Sequence, residues 1–157
     1  MTDVKICRAT QNDIPTMAEL WREKMILQQQ NDRRFTLAPD GDATWAAAAM
    51  EWLENECYRV YVAQSQNKSV GYIIGRIDPA PPGLLPEHIG VVADIAVGVH
   101  SYQSGLGRLL LEALKDWFKE QGITRALALA PHRQPVEQAF WRALGATELT
   151  EVLWMKL

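Results

Sequence analysis

The sequence predicts a single mixed α/β domain, with helices packed on one central sheet. Three observations predict it. Apolar runs of strand length alternate along the chain with apolar stripes of helical period. Their order reads β-α-α-β-β-β-α-β-α-β, which suits a layered domain of helices on a sheet. The size, 157 residues of which 48% are hydrophobic and 22% charged, suits one core spanning residues 1–157.

Each element has its own signal. Val4 to Ala9 reads as the first strand. Asn12 and Asp13 offer caps for a helix whose apolar positions are Ile14, Met17, Ala18, Trp21 and Met25. The polar run Gln28 to Arg34 ends that helix. Pro39-Asp40-Gly41-Asp42 is a turn, and Asp42 caps a second helix carrying Trp45, Ala48, Ala49, Trp52 and Leu53. Tyr58 to Gln64 and Ser69 to Asp78 are two strands, joined by Ser65-Gln66-Asn67-Lys68 as a hairpin loop. Pro79 through Gly83 cannot continue a sheet. Ile89 to Val97 is apolar enough for a central strand. Leu106, Leu109, Leu110, Ala113, Leu114, Trp117 and Phe118 form one helical stripe, stopped by Gly122. A short strand follows from Ala126 to Ala130. Val136, Ala139, Phe140, Ala143 and Leu144 make the last helical stripe, closed by Gly145, and Leu149 to Leu157 reads as a final strand. Trp21, Trp45 and Trp52 read as packing residues of the first two helices.

Composition narrows the function. A net charge of −3 argues against a dedicated nucleic-acid binder. No apolar run approaches the roughly 20 residues of a membrane span, so no membrane partner is expected. The first residues lack the basic and then apolar order of a signal peptide. Cys7 and Cys57 form no Cys-x-x-Cys pair and read as reduced, buried thiols of a cytoplasmic protein. His88, His100 and His132 have no ligand spacing, so no metal is expected.

The segment from Asp94 to Arg108 carries the chemistry. An apolar strand runs into a loop with two glycines, and an amphipathic helix starts at once. The first turn of a helix has unpaired N–H groups and a partial positive charge, so it attracts anions. Gly105 and Gly107 let backbone approach a bulky anion, and Arg108 adds a positive charge; a pyrophosphate is the natural guest. Two other phosphate motifs are absent. No Gly-x-x-x-x-Gly-Lys run exists, and the third glycine of a dinucleotide fingerprint is replaced by Leu110. A two-glycine turn by itself fits a structural turn as well as an anion site.

Three stretches together resemble the GNAT acetyltransferases. Tyr102-Gln103-Ser104-Gly105-Leu106-Gly107, following Asp94-Ile95-Ala96-Val97, is similar to that family's Gln/Arg-x-x-Gly-x-Gly/Ala acyl-CoA motif. Ala139-Phe140-Trp141-Arg142-Ala143-Leu144-Gly145-Ala146 resembles its A-F-Y-x-x-L-G-F helix end, and Val70-Gly71-Tyr72-Ile73-Ile74-Gly75 its third strand. The resemblance implies an acetyl-CoA-dependent transfer of an acetyl group to a small-molecule or peptide amine, by direct attack in a ternary complex. It implies a sheet whose fourth and fifth strands splay apart around the pantetheine arm. Backbone amides of Gln103, Ser104, Gly105, Leu106, Gly107 and Arg108 would hold the CoA pyrophosphate. Ile95 and Val97 would bond the arm as an added strand does, with the thioester near Ile95 and Ala96 and its carbonyl polarised by the Ala96 or Val97 amide. The family pattern also allows a homodimer.

Two positions depart from the pattern. Tyr102 stands at the first motif position, where Gln or Arg is usual. Trp141 stands where many members carry a tyrosine that protonates the departing thiolate, and an indole is no acid. Trp141 could instead pack against the pantetheine or simply fill the core. Asp94, Glu87 and His88 are the candidates for a base that takes the amine's proton. Readings as a non-catalytic acyl-CoA-binding module, or as an unrelated phosphate binder, stay open on the sequence.

Overall fold

The computed structural model describes residues 3–102 and 104–157. Its elements are β1 (Val4–Arg8), α1 (Ile14–Asn31), α2 (Gly41–Glu54), β2 (Tyr58–Ser65), β3 (Lys68–Pro79), β4 (His88–Val97), α3 (Leu106–Glu120), β5 (Ala126–Ala128) and α4 (Pro135–Ala143). The strands form one sheet in chain order. The first four pair antiparallel, and β5 joins β4 in parallel. Antiparallel neighbours need only tight connections, and Gln66 and Asn67 supply one with both φ angles positive, 51° and 60°. The parallel step from β4 to β5 needs a crossover, and α3 provides it.

Both faces of the sheet are covered, so the middle of β3, from Val70 to Gly75, is continuously apolar instead of alternating. Tyr72 and Ile74 face α1 and α2, with Val60, Val62 and Ala96. Ile73 faces the other way, with Val92, Ile95 and the buried stripe of α3: Leu106, Leu110, Leu111, Leu114, Trp117 and Phe118. Two glycines set how close α3 lies. A Cβ on Gly75 would stand 2.4 Å from Leu114, and one on Gly90 would stand 2.9 Å from Phe118. Gly75→Val is therefore expected to destabilise the fold by about 2 kcal/mol through overpacking. A fall in urea midpoint with an unchanged slope would show it.

Two features of β4 open the sheet along one edge. Its register on β3 runs Ile73↔Ile95, Ile74↔Asp94, then Gly75↔Val92, so Ala93 is an extra residue, a β-bulge. On its other edge β4 pairs β5 only at Gly90, Val91 and Val92. From Ala93 to Val97 the two strands part. The splay that the family resemblance implies is present.

Several local expectations are corrected. Leu149–Leu157 forms no strand; Val152, Leu153 and Trp154 are exposed. A strand exists only as a pairing, and these residues pair with no other among those described. β5 ends at Ala128 because its partner edge leaves it there. The polar turn Gln28–Asn31 stays helical, since Gln28 is buried and the Asn31 amide donates to Gln134 Oε1 at 3.1 Å. Asp40, not Asp42, caps α2. Asp42 lies in the first turn, where a negative charge suits the helix dipole. Leu109 is exposed, outside the α3 stripe. Cys7 is half-buried, and Cys57 is exposed in the connection between α2 and β2; both are free. In α4 the stripe is turned. Val136, Ala139 and Ala143 face out, while Glu137, Phe140 and Trp141 face in, because two aromatics bury more apolar area than a valine and two alanines.

Candidate active site

β4 ends at Val97 and a single 3-10 turn, Val99–Ser101, leads to the glycine turn. Gly105 caps α3 with φ of +82°. A Cβ there would touch nothing within 4 Å, so the left-handed backbone is what calls for glycine. Gly107 is glycine for another reason: a Cβ would stand 3.1 Å from the Phe140 ring and 3.8 Å from Ile95. The start of α3 is thus seated against both α4 and β4. The Leu106 N–H reaches Ser104 Oγ at 3.4 Å, and that hydroxyl donates to the Ser101 carbonyl. Among the described residues the N–H groups of Gly105, Gly107 and Arg108 find no acceptor. Tyr102, Ser104 and Arg108 are exposed beside them. Gln103 lies outside the described residues.

Inside the splay, Ile95 and Ala96 are buried and Val97 is half-buried. The Gly98 N–H bonds Val70 on the β3 side, so by alternation the backbone groups of Val97 and Ile95 face the gap. Glu87 and His88 lie at the far end of β4. Six residues of strand, His88 to Ala93, separate Glu87 from Asp94, roughly 20 Å, so the chain does not bring these candidates to the glycine turn. Asp94 lies instead where β4 and β5 have parted, next to Ile95.

Around Asp94 the structure assembles groups that sequence reasoning missed. Lys24 of α1 reaches across the splay. Its Nζ donates to Asp94 Oδ1 at 2.6 Å and to the Ile95 carbonyl at 2.8 Å, and lies 3.4 Å from Glu137 Oε2 of α4. The Tyr72 hydroxyl donates to Asp94 Oδ2 at 2.6 Å. Among the described residues the buried Trp141 indole N–H has no hydrogen-bond partner; it faces the Glu137 carboxylate one helical turn away but lies outside bonding geometry. Above the cluster the aromatic rings form a ladder. Trp21 stacks on Trp45 at 5.9 Å, and Trp45 meets Tyr72 at 5.4 Å.

Burial sets the electrostatics. It pushes the Glu137 carboxyl above its ordinary value, with help from the Asp94 charge and against the pull of Lys24. Burial also works against the Lys24 ammonium, but Asp94 and Glu137 outweigh it and hold the pKa of Lys24 above normal. Burial and Asp94 push the Tyr72 hydroxyl well up, so Tyr72 serves only as a donor near neutral pH. Two signals were in the sequence. Lys24 falls on the helix face of Met17 and Trp21, a lysine inside an apolar stripe, and Glu137 precedes Trp141 by one turn. Among the described residues no three His, Cys, Asp or Glu side chains are grouped to hold a metal ion. No described helix is long and apolar enough to cross a membrane.

The glycine turn, the parted strands and the helix order define an acyltransferase class of fold, and comparison with known proteins agrees. Residues 16–146 match the model of the Acetyltransferase (GNAT) family, and the chain belongs to that family. Solved structures share the fold across nearly the whole chain. A single-site mutant of the BH1408 protein from Bacillus halodurans has a TM-score of 0.87 at 17% identity, covering 98% of this chain and 99% of that one. The aminoglycoside antibiotic 6'-N-acetyltransferase of Acinetobacter haemolyticus has a TM-score of 0.77 at 18% identity, covering 98% and 97%. A predicted acetyltransferase from Clostridium acetobutylicum, solved with acetyl-CoA, has a TM-score of 0.77 at 17% identity, covering 98% and 96%. No curated protein sequence matches the chain.

Proposed function

We propose that the chain transfers an acetyl group from acetyl-CoA to a primary amine, by direct attack within a ternary complex. The observation that carries this reading is the turn at Gly105–Arg108, where the amides of Gly105, Gly107 and Arg108 lack acceptors among the described residues and which opens beside parted strands. A diphosphate is the anion such a turn suits, and the gap suits a slender arm. That solved relatives hold CoA or acetyl-CoA supports the same assignment. Tyr102, Gln103, Ser104 and Leu106 are proposed to line the phosphates with Gly105, Gly107 and Arg108. The Ile95 N–H and the Val97 backbone are proposed to hold the arm, with Trp141 against it; Ala96 lies between them with its backbone turned to β3. Acetyl-CoA supplies an activated acyl carbon. The amine nitrogen bonds that carbon, the C–S bond breaks, the amine's proton passes to a carboxylate and the thiolate leaves.

The carboxylates divide the work. Asp94 has both oxygens engaged, by Lys24 and Tyr72, and holds cations in place. Glu137 has only the longer contact to Lys24 and a pKa that burial raises, and is proposed to take the proton. Glu87 is too far along β4 to share that role. Aminoglycoside acetyltransferases among the similar structures, one bound to sisomicin, support a cationic small-molecule acceptor.

An acceptor screen reading free thiol, with aminoglycosides, polyamines and lysine peptides, tests the activity. Gly105→Glu tests the phosphate placement. It sets a carboxylate beside the amides of the turn and a side chain on a left-handed residue, so CoA binding is expected to weaken by more than about tenfold in calorimetry. Unchanged affinity in the folded variant sinks the placement. Two observations favour a second reading, a binding module without turnover: Lys24 already occupies the Ile95 carbonyl, and Trp141 offers no acid. Tight CoA binding with no thiol release for any amine would establish it.

A further inference from the structure

Lys24 is a charged group in the site that transfer chemistry does not call for. Its ammonium sits where three oxygens converge: Asp94 Oδ1 at 2.6 Å, the Ile95 carbonyl at 2.8 Å and Glu137 Oε2 at 3.4 Å. The lysine and both acids keep no more than a fifth of their side chains in contact with solvent. Such a cage is what a primary ammonium requires, with charge and acceptors together in a place where water competes poorly. It stands at Ile95, where the acceptor of the proposed reaction would have to arrive.

A second observation comes from Trp141. Among the described residues its buried indole N–H, beside Glu137, has no partner, and the residue is only 8% exposed. An ammonium has no lone pair, so Lys24 cannot accept that hydrogen bond. An amine that has lost its proton can, and so can a carbonyl oxygen. The site in its present form leaves one donor unanswered, and a reacting amine or its acyl partner would answer it.

We propose that Lys24 is an internal stand-in for the acceptor: its ammonium occupies the subsite in which a primary amine is held for acylation, and the acceptor displaces it. The proposal rests on the acetyl-transfer reading and specifies its substrate class. The acceptor is a primary ammonium on a chain slender enough to lie beside α1, read by Asp94, Glu137 and the Ile95 carbonyl. Displacement breaks no covalent bond. The lysine swings out, the acceptor takes its three oxygens, and the ion balance of the cage is unchanged.

Lys24→Ala in the full-length protein tests it, with ethylammonium chloride as the probe and sodium chloride at equal ionic strength as the control. The variant is expected to melt roughly ten degrees below wild type, because two carboxylates lose their cation. Ethylammonium is expected to recover a good part of that loss in Lys24→Ala and to leave wild type unmoved. Lys24→Met, whose neutral chain fills the same space, should not respond. If ethylammonium does no more for Lys24→Ala than sodium does, the subsite is overturned. Should Lys24→Ala fail to fold, the double variant Lys24→Ala, Glu137→Gln removes one unpaired charge and leaves Asp94 on Tyr72. It is expected to bind ethylammonium more weakly, and no binding there overturns the subsite equally. For any amine that wild type acylates, the acceptor KM should fall in Lys24→Ala, since the internal competitor is gone; a KM that holds or rises overturns the displacement. The melting arm needs no turnover, so it decides the subsite even if the acceptor screen is blank.

Discussion

Asp94→Ala is expected to weaken the fold by roughly 3 kcal/mol, the low end for one partner removed from a buried ion pair. The low end applies because Asp94 keeps a fifth of its side chain in contact with solvent. Two donors lose their acceptor at once. The Tyr72 hydroxyl is fully buried and has no other partner among the described residues, and Lys24 is left with the longer contact to Glu137 and the Ile95 carbonyl. Asp94→Asn keeps an acceptor for Tyr72 and should cost about half as much. Urea denaturation of the three proteins checks this through their midpoints. Equal midpoints for Asp94→Ala and wild type would mean that the cluster contributes nothing to stability.

Glu137→Gln is expected to do the reverse, sparing the fold and stopping the reaction. If Glu137 takes the amine's proton, kcat should drop by about two to four orders of magnitude. KM for acetyl-CoA should hold, because the glycine turn is untouched. The stability sign follows from the raised pKa. A carboxyl with a higher pKa in the folded state stabilises the fold when protonated, and that contribution is lost as pH rises through the folded value. Near neutral pH the charged form is therefore a burden that glutamine removes, while the pairing with Lys24 is what glutamine gives up. The net change should stay within about 1 kcal/mol. The pH profile separates a base from a bystander. In wild type the rate should rise with pH as Glu137 ionises, above the ordinary carboxylate range, and that limb should vanish in Glu137→Gln. A variant with near-normal kcat and the same limb would remove Glu137 from the chemistry.

What the sequence made legible tracks the range of the forces involved. The α3 stripe is local and strong, and it marked the helix, its buried face and the glycine stop at Gly122. The glycine turn was legible because Gly105 answers a backbone requirement that only nearby residues impose. Gly107 was assigned to the anion, yet its neighbour is Phe140, far along the chain. The cluster was legible only at Asp94. Lys24 and Asp94 lie 70 positions apart, and no local pattern joins them. The α4 stripe was right at Phe140 and Leu144 and wrong at Val136, Ala139 and Ala143, because a pattern counts valine and alanine as apolar whereas Phe140 and Trp141 decide which way the helix turns. Leu149–Leu157 has the composition of a strand, but composition supplies no neighbour to pair with.

The extra residue in β4 has a consequence of parity. Along a regular strand, odd and even positions go to opposite sides. Counted evenly onward from Val92, which faces α3, Asp94 would face α3 as well, among Leu110, Leu114 and Trp117, and Ile95 would point at Lys24. Doubling one step at Ala93 exchanges odd for even from there on. The charge goes to the lysine and the tyrosine, the isoleucine goes to the leucines, and the backbone of residues 95 and 97 turns to the open gap. One inserted alanine thus decides whether this strand carries a reaction centre or buries an unanswered charge.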